Sequence, residues 1–459
     1  MRKCFIKTLV YKRFMINFAH DFKCNKMEQM NNKTYRARIA DKLLAEKLDA
    51  MGAVLIEGAK WCGKTTTAEQ AANSVLYLAD TDTFRQNMEM IDLHPRLLLT
   101  GEAPMLIDEW QEAPKLWDAV RFEVDHRSKE GQFILTGSAA PSKEKLEEIH
   151  HTGTGRFSWL KMRPMSLFES GESEGTVSFT GLFDGNTDFA LKAPNHELGD
   201  IAFMMCRGGW PGSLRKKSAA AAQLVAMEYY QAVTHTDISK VDGIMKNPER
   251  VKRLMRSYAR HQGSQASFAT IAGDISTNEV ERLSEKTVSD YLMALKKIFV
   301  VEDAMAWNPN LRSKTAIRSS DTHYFVDPSI AVAALEMGPD DLIGDLNTMG
   351  LLFETMAVRD LRCYADALSG TMYHYRDKSG LECDTVMHLR GGRYGLIEVK
   401  LGGSTGIEEG AATLKALADR IDTDKMKKPS FLMVLTAVGQ FAYTRKDGVL
   451  VVPIGCLKP

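Results

Sequence analysis

Long apolar runs are the first thing this sequence lacks: none approaches the roughly 18 residues that a membrane-crossing helix needs. No membrane span is expected, and the chain reads as cytoplasmic. Net charge is missing as well. The 59 Lys and Arg are matched by 59 Asp and Glu, so no global field attracts nucleic acid or anionic lipid, and such binding needs a local patch. Cysteine is sparse, with seven scattered residues and no C-x-x-C pair. That argues against a disulfide framework and a zinc centre, and it fits a reducing compartment. No internal repeat or low-complexity tract stands out.

The composition is 44% apolar and 26% charged, ordinary for a globular protein. A chain of 459 residues exceeds one core and implies two to four domains. The opening "MRKCFIKTLVYKRFMINFAHDFKCNK" carries seven Lys or Arg and one acid, and charges interrupt each apolar stretch, unlike a signal peptide. Residues 1–33 read as a basic tail, or as an upstream extension with Met27 or Met30 as the true start.

Chemistry first appears in "VLIEGAKWCGKTTTAEQ", residues 54–70. Gly58-Ala59-Lys60-Trp61-Cys62-Gly63-Lys64-Thr65 satisfies G-x-x-x-x-G-K-[ST], the phosphate-binding loop. "AVLIE" before it reads as a buried parallel strand, and "TTTAEQAA" after it opens a helix. Glycines let the backbone curl so that successive N–H groups point inward, and the helix N-terminus adds positive potential. Residues 58–66, Thr66 included, would cradle the phosphates. Lys64 would reach the β- and γ-phosphates, and the Thr65 hydroxyl would hold Mg2+.

"PMLIDEW", residues 104–110, reads as a strand ending in Asp108 and Glu109. In P-loop hydrolases the first acid supports the magnesium and a following Glu polarises the attacking water. A third strand, "QFILTGSA", places Thr136 and Ser138 either to sense the γ-phosphate or simply to make a turn. Beyond it, Arg156 and Arg163 are arginine-finger candidates, in cis or from a neighbouring subunit, with surface ion pairing as the competing role. Arg156 is the preferred catalytic candidate. Cys62 lies where a thiolate is favoured, but it reads better as a small tolerated loop residue.

The blocks "GAKWCGKTTTA", "LIDEWQEAPKLWDAVR", "ILTGSA", "GTGRFSWLKMRPMSLFE" and "GGWPGSL", in that order, resemble the prokaryotic AAA-type P-loop ATPases that carry a C-terminal domain of unknown function. Trp61-Cys62 departs from the more usual loop residues. The resemblance implies a three-layer α/β/α ATPase core at 34–169 that binds ATP and Mg2+. Such ATPases often assemble into rings, which implies a homo-oligomer. Residues 170–245 would follow as a connection and helical closing region, with 170–200 an irregular link or lid.

Residues 246–318 read as three short helices and an apolar hairpin, the winged-helix pattern. Its last helix, Glu285 to Lys297, has Ser284 as N-cap and turns Val288, Tyr291, Leu292 and Leu295 to one face. Thirteen Lys and Arg against eight Asp and Glu make this stretch modestly basic within a neutral chain. DNA would meet the exposed side at Lys286 and Ser289, unless the module only packs.

Residues 319–459 hold a second constellation. An amphipathic helix at 350–365 carries Glu354, and "TMYHYRDKSGLECDTVMHLRGGRYGLIEVKLGG" divides into three strands. Period-two alternation puts Glu398 and Lys400 on one face, with Asp384 projecting beside them. Hard carboxylate oxygens suit a second Mg2+ or Mn2+, which would activate water while the lysine orients it. The helix and strand framing resembles the PD-(D/E)XK nuclease superfamily, with Asp384, Glu398 and Lys400 at its signature and Glu354 at its first-helix acid. His374 and His388 read as ordinary sheet residues.

The sequence therefore implies an α/β multidomain protein: a P-loop ATPase core, a winged-helix module and a PD-(D/E)XK-like domain. Hydrolysis of ATP through Lys64, Thr65, Asp108 and Glu109 would control the C-terminal half. The alternatives are an ATP-gated metal-dependent nuclease and a slow-turnover switch that binds DNA or protein.

Overall fold

The computed structural model describes residues 35–140, 147–240, 246–276, 283–310, 312, 317–318 and 320–459. The basic tail lies outside them. The described chain divides into two compact units, one of residues 35–56, 65–137 and 147–160, the other of 57–64, 138–140 and 161–459.

In the first unit, runs of apolar residues become strands of a five-stranded sheet: β1 (Ala53–Glu57), β2 (Ser74–Tyr77), β3 (Met105–Asp108), β4 (Phe133–Gly137) and β5 (Phe157–Lys161), ordered β2-β3-β4-β1-β5. β3 pairs in parallel with β2 and β4. The continuous burial of β1 and β4 is what a parallel sheet covered by helices demands. Leu55, Ile107 and Leu135 pack with Trp110, Trp117 and Phe157 in one core. The Trp117 and Phe157 rings stack 3.9 Å apart. β3 ends at Asp108, so its carboxylate emerges where strands of such sheets meet their ligands.

The second unit begins with short pieces. β6 (Val177–Ser178), a helix at Phe179–Phe183 and β7 (Ala190–Lys192) occupy the stretch expected to be irregular. Their partners lie far along the chain, which is why local patterning did not reveal them. Helices follow at Leu198–Arg207, Ala219–Ala232, Pro248–Arg260, Phe268–Ser276 and Glu285–Lys297. The last has the expected bounds: Ser284 accepts from the Thr287 N–H at 3.1 Å, and Val288, Leu292 and Leu295 are buried. After it, isolated antiparallel bridges at Val301–Phe325 and Ala304–Thr322 stand where the apolar hairpin was expected.

The C-terminal sheet has eight strands: β7, β8 (Met305–Ala306), β9 (Gly370–Arg376), β10 (Glu382–Leu389), β11 (Tyr394–Lys400), β12 (Phe431–Thr436), β13 (Phe441–Thr444) and β14 (Leu450–Pro453). Their order is β7-β13-β14-β12-β11-β10-β9-β8. β10 runs antiparallel to both of its neighbours, β9 and β11, whereas β11, β12 and β14 run parallel. The long helix Leu346–Ala367 packs against β9, β10 and β11, and the helix Ser404–Arg420 against β10, β11 and β12. β15 (Leu457–Lys458) pairs with β6 in a separate ribbon. Among the described residues no helix is long and apolar enough to cross a membrane.

Candidate functional site

The loop after β1 has the curl that its glycines allow. A Cβ on Gly58 would stand 2.0 Å from the Met162 carbonyl oxygen, so only glycine fits there. Gly63 has φ 101°, a backbone that side chains rarely adopt. Lys64 opens the helix Lys64–Ala71 and is buried, its Nζ donating to the carbonyls of Gly58 and Ala59 at 2.9 Å each. Cys62 is buried, with its Sγ 3.5 Å from the Met162 carbonyl oxygen. Lys60 and Trp61 turn to other partners: Lys60 Nζ donates to Asp237 at 2.6 Å, and the Trp61 ring lies 5.7 Å from that of Tyr229.

The end of β3 gathers the other expected groups. The Thr65 and Thr136 hydroxyls both donate to Asp108 Oδ1, at 2.7 and 2.6 Å. Thr136 Oγ1 in turn accepts from the Glu109 N–H at 3.2 Å. Glu109 adopts a left-handed backbone, φ 56° and ψ 50°, an uncommon conformation for a side chain of this kind. Its carboxylate accepts from the Gln111 side-chain amide. Sequence reasoning missed Gln111, although its position two residues past Glu109 on the turn leaving β3 was a usable signal. Arg156 is half-exposed and bonds Asp125 at 2.7 Å. Arg163 is buried in ion pairs with Glu302 and Asp366, which occupies its guanidinium.

The second constellation converges as the alternation implied. Lys400 Nζ lies 2.8 Å from Glu398 Oε2 and 3.5 Å from Asp384 Oδ2. Asp384 Oδ2 also accepts from the Val399 N–H at 2.7 Å. Glu354 accepts from the Tyr324 hydroxyl at 2.5 Å. Burial first, and then the Asp384 charge, push Glu398 up to about 8 and raise Glu354 well above the usual carboxylate range. Burial opposes the charge on Lys400, but Asp384 and Glu398 outweigh it and raise its pKa. Glu398 is 3% exposed, and its Oε1 has no hydrogen-bond partner. Among the described residues, however, no three His, Cys, Asp or Glu side chains gather closely enough to hold a metal ion. Lys400, bonded to both carboxylates, occupies that role in the charge balance. Tyr324 carried no sequence signal. His374 is buried and its ring bonds Gln265 and the Ser320 carbonyl, an ordinary structural arrangement.

Residues 51–170 match the family model of the AAA domain. Residues 198–341 and 349–457 match two domains of unknown function, DUF8612 and DUF4143. Two uncharacterized proteins, from Mycobacterium bovis and Mycobacterium tuberculosis, are each 23% identical to this chain over 367 residues, covering 79% of it and 73% of the relative. Among solved structures, the Walker-type ATPase of Pyrococcus abyssi aligns with 66% of this chain and 97% of its own, at TM-score 0.39 and 14% identity. The AAA match spans the loop and the Asp108–Glu109 turn just described, and together they support a P-loop ATPase.

Proposed function

We propose that the protein binds ATP at residues 58–66 and hydrolyses it with Lys64, Thr65, Asp108 and Glu109. The observation that carries this reading is the convergence of the Thr65 and Thr136 hydroxyls on one oxygen of Asp108. Hydroxyl and carboxylate oxygens are hard donors that suit Mg2+, and Thr65 and Asp108 would hold it. The ion supplies charge neutralisation at the phosphates. The chain's own residues do the rest. Lys64 exchanges two backbone carbonyls for phosphate oxygens, a stronger charge-assisted bond. Glu109 accepts a proton from the attacking water, and the Gln111 amide and Thr136 hydroxyl fix its direction. Arg156 remains a finger candidate once released from Asp125.

Steady-state phosphate release and equilibrium binding test this assignment together. Lys64→Ala is expected to lose both at least about 100-fold, and Glu109→Gln to keep binding while turnover falls about 100-fold or more. A Lys64→Ala protein that hydrolyses ATP at the wild-type rate would sink the assignment.

A second reading concerns Glu354, Asp384, Glu398 and Lys400, and the orphaned Glu398 Oε1 favours it. Three acidic groups surround one lysine, and a Mg2+ or Mn2+ held by Asp384 and Glu398 would displace the protons that burial and the Asp384 charge favour on Glu354 and Glu398. Phosphodiester cleavage of nucleic acid, with Lys400 orienting the water, is the corresponding activity. Metal-dependent nicking of plasmid DNA, removed by Asp384→Ala and by Glu398→Gln, is the expected result. No cleavage of DNA or RNA with either metal would reduce this cluster to a structural ion pair.

A further inference from the structure

The phosphate loop carries two side chains that its phosphate chemistry leaves unused, and both are held by one helical segment. Lys60 Nζ donates to Asp237 Oδ1 at 2.6 Å. The Trp61 ring stands 5.7 Å from the Tyr229 ring, tilted by 56°. Tyr229 is itself fixed: it is buried, and its ring lies 4.2 Å from that of Trp210. Trp210 is fully buried and donates its Nε1–H to Ser329 Oγ at 2.9 Å. Tyr229 rides on the helix Ala219–Ala232, and Asp237 ends the π-helical turn Val233–Asp237 that continues it. Such turns are rare, and the extra residue re-aims the side chains that follow. Here the turn delivers a carboxylate to a loop 177 residues earlier in the sequence.

The loop needs that restraint. Trp61 is not glycine, yet it has φ 64° and remains half-exposed. A left-handed backbone at a bulky residue persists only where its surroundings over-determine it, and the ion pair and ring contact on adjacent residues supply that.

We propose that Asp237 and Tyr229 are positioning residues for the phosphate loop, holding Lys60 and Trp61 in the curl that a nucleoside triphosphate requires. The inference rests on the reading of residues 58–65 as a triphosphate site, and it adds what sets that site's affinity. It opposes a simpler view of the Lys60–Asp237 pair, in which Asp237 merely keeps a cation away from the phosphates. Under that view, removing the carboxylate frees Lys60 and tightens binding. Under ours, removing it loosens the loop and weakens binding.

The test uses the full chain and N-methylanthraniloyl-ATP with Mg2+, read by fluorescence, alongside KM and kcat for ATP. Asp237→Asn and Lys60→Ala should each weaken binding about ten-fold, the loss of one charge-assisted contact, with the change falling on KM rather than kcat. The double variant should be no weaker than either single, because both remove the same interaction. Asp237→Glu should recover most of the loss, and Tyr229→Leu should weaken binding independently of Lys60. Thermal melts identify any variant that has simply failed to fold, and Asp237→Glu then carries the comparison. Asp237→Asn binding within about two-fold of wild type, or tighter than it, overturns the proposal, as does a double variant whose losses add. A wild-type protein that binds no triphosphate is a separate outcome: it removes the nucleotide reading itself, before any variant is made.

Discussion

His323 shows how one residue's surroundings decide its charge. Its Nδ1 lies 3.3 Å from Asp303 Oδ1, and its Nε2 lies 2.8 Å from the Ala266 carbonyl oxygen. A carbonyl acceptor at Nε2 and a carboxylate charge beside Nδ1 favour the doubly protonated imidazolium. Burial opposes that charge, but Asp303 and the Ala266 carbonyl outweigh it and raise the pKa above its ordinary value. Burial likewise opposes the Asp303 carboxylate, yet His323, Lys296 and Tyr258 hold its pKa far below the usual range, so it stays ionised through neutral pH. The sign of the linkage follows. A raised histidine pKa contributes stability fully present below the unfolded value of about 6.5 and lost as pH climbs through the folded value. The melting temperature of His323→Gln should therefore trail the wild type most at about pH 5.5 to 6, below the unfolded value, and the gap should narrow as pH climbs through the raised folded value. A gap constant from about pH 5.5 to 8.5 would mean that His323 titrates alike in the folded and unfolded chain, and a gap that widens as pH rises would mean that it is neutral when folded.

Elements were legible in the sequence where the signal was local. β1, β3 and β4 read as strands because a covered parallel sheet forces unbroken apolar runs, and the same logic put Asp108 at a strand end. The helix Glu285–Lys297 announced itself through Ser284 and its apolar face. β10 and β11 were bounded by turn residues, so alternation alone placed Glu398 and Lys400 together. Elements defined by distant partners stayed hidden. β7 exists because β13 offers an edge about 250 residues later, and β13 itself is only four residues long. The same limit applies to the sites. Lys64, Thr65 and Asp108 follow from motif and spacing, whereas the groups that restrain them or their neighbours do not. Asp237 on Lys60 and Tyr324 on Glu354 depend on tertiary packing that no period in the sequence encodes.

At the scale of the whole molecule, the proposed control of the C-terminal half by nucleotide is a statement about coupling free energy, and that can be measured without knowing the substrate. A ligand that binds only the folded state at 100 times its Kd stabilises it by about 2.7 kcal/mol. ATP analogues that resist hydrolysis should therefore raise protection from hydrogen exchange in the strands and helices around residues 53–71 and 105–108 by about 100-fold, and Lys64→Ala should abolish the effect. Local protection of that kind follows from binding alone and says nothing about control. The discriminating region is the C-terminal sheet, β10 to β12 with the helices Leu346–Ala367 and Ser404–Arg420, which holds Glu354, Asp384, Glu398 and Lys400. A coupling of about 1 kcal/mol would change the opening equilibrium there about five-fold, within reach of the same experiment. Control by nucleotide requires a shift of at least that size in the amides around Glu398 that tracks ATP rather than ADP. If those amides exchange identically in the apo, ADP-bound and ATP-analogue-bound forms while the loop is protected, the phosphate site does not control the C-terminal sheet, and each of the two carboxylate clusters must be explained on its own.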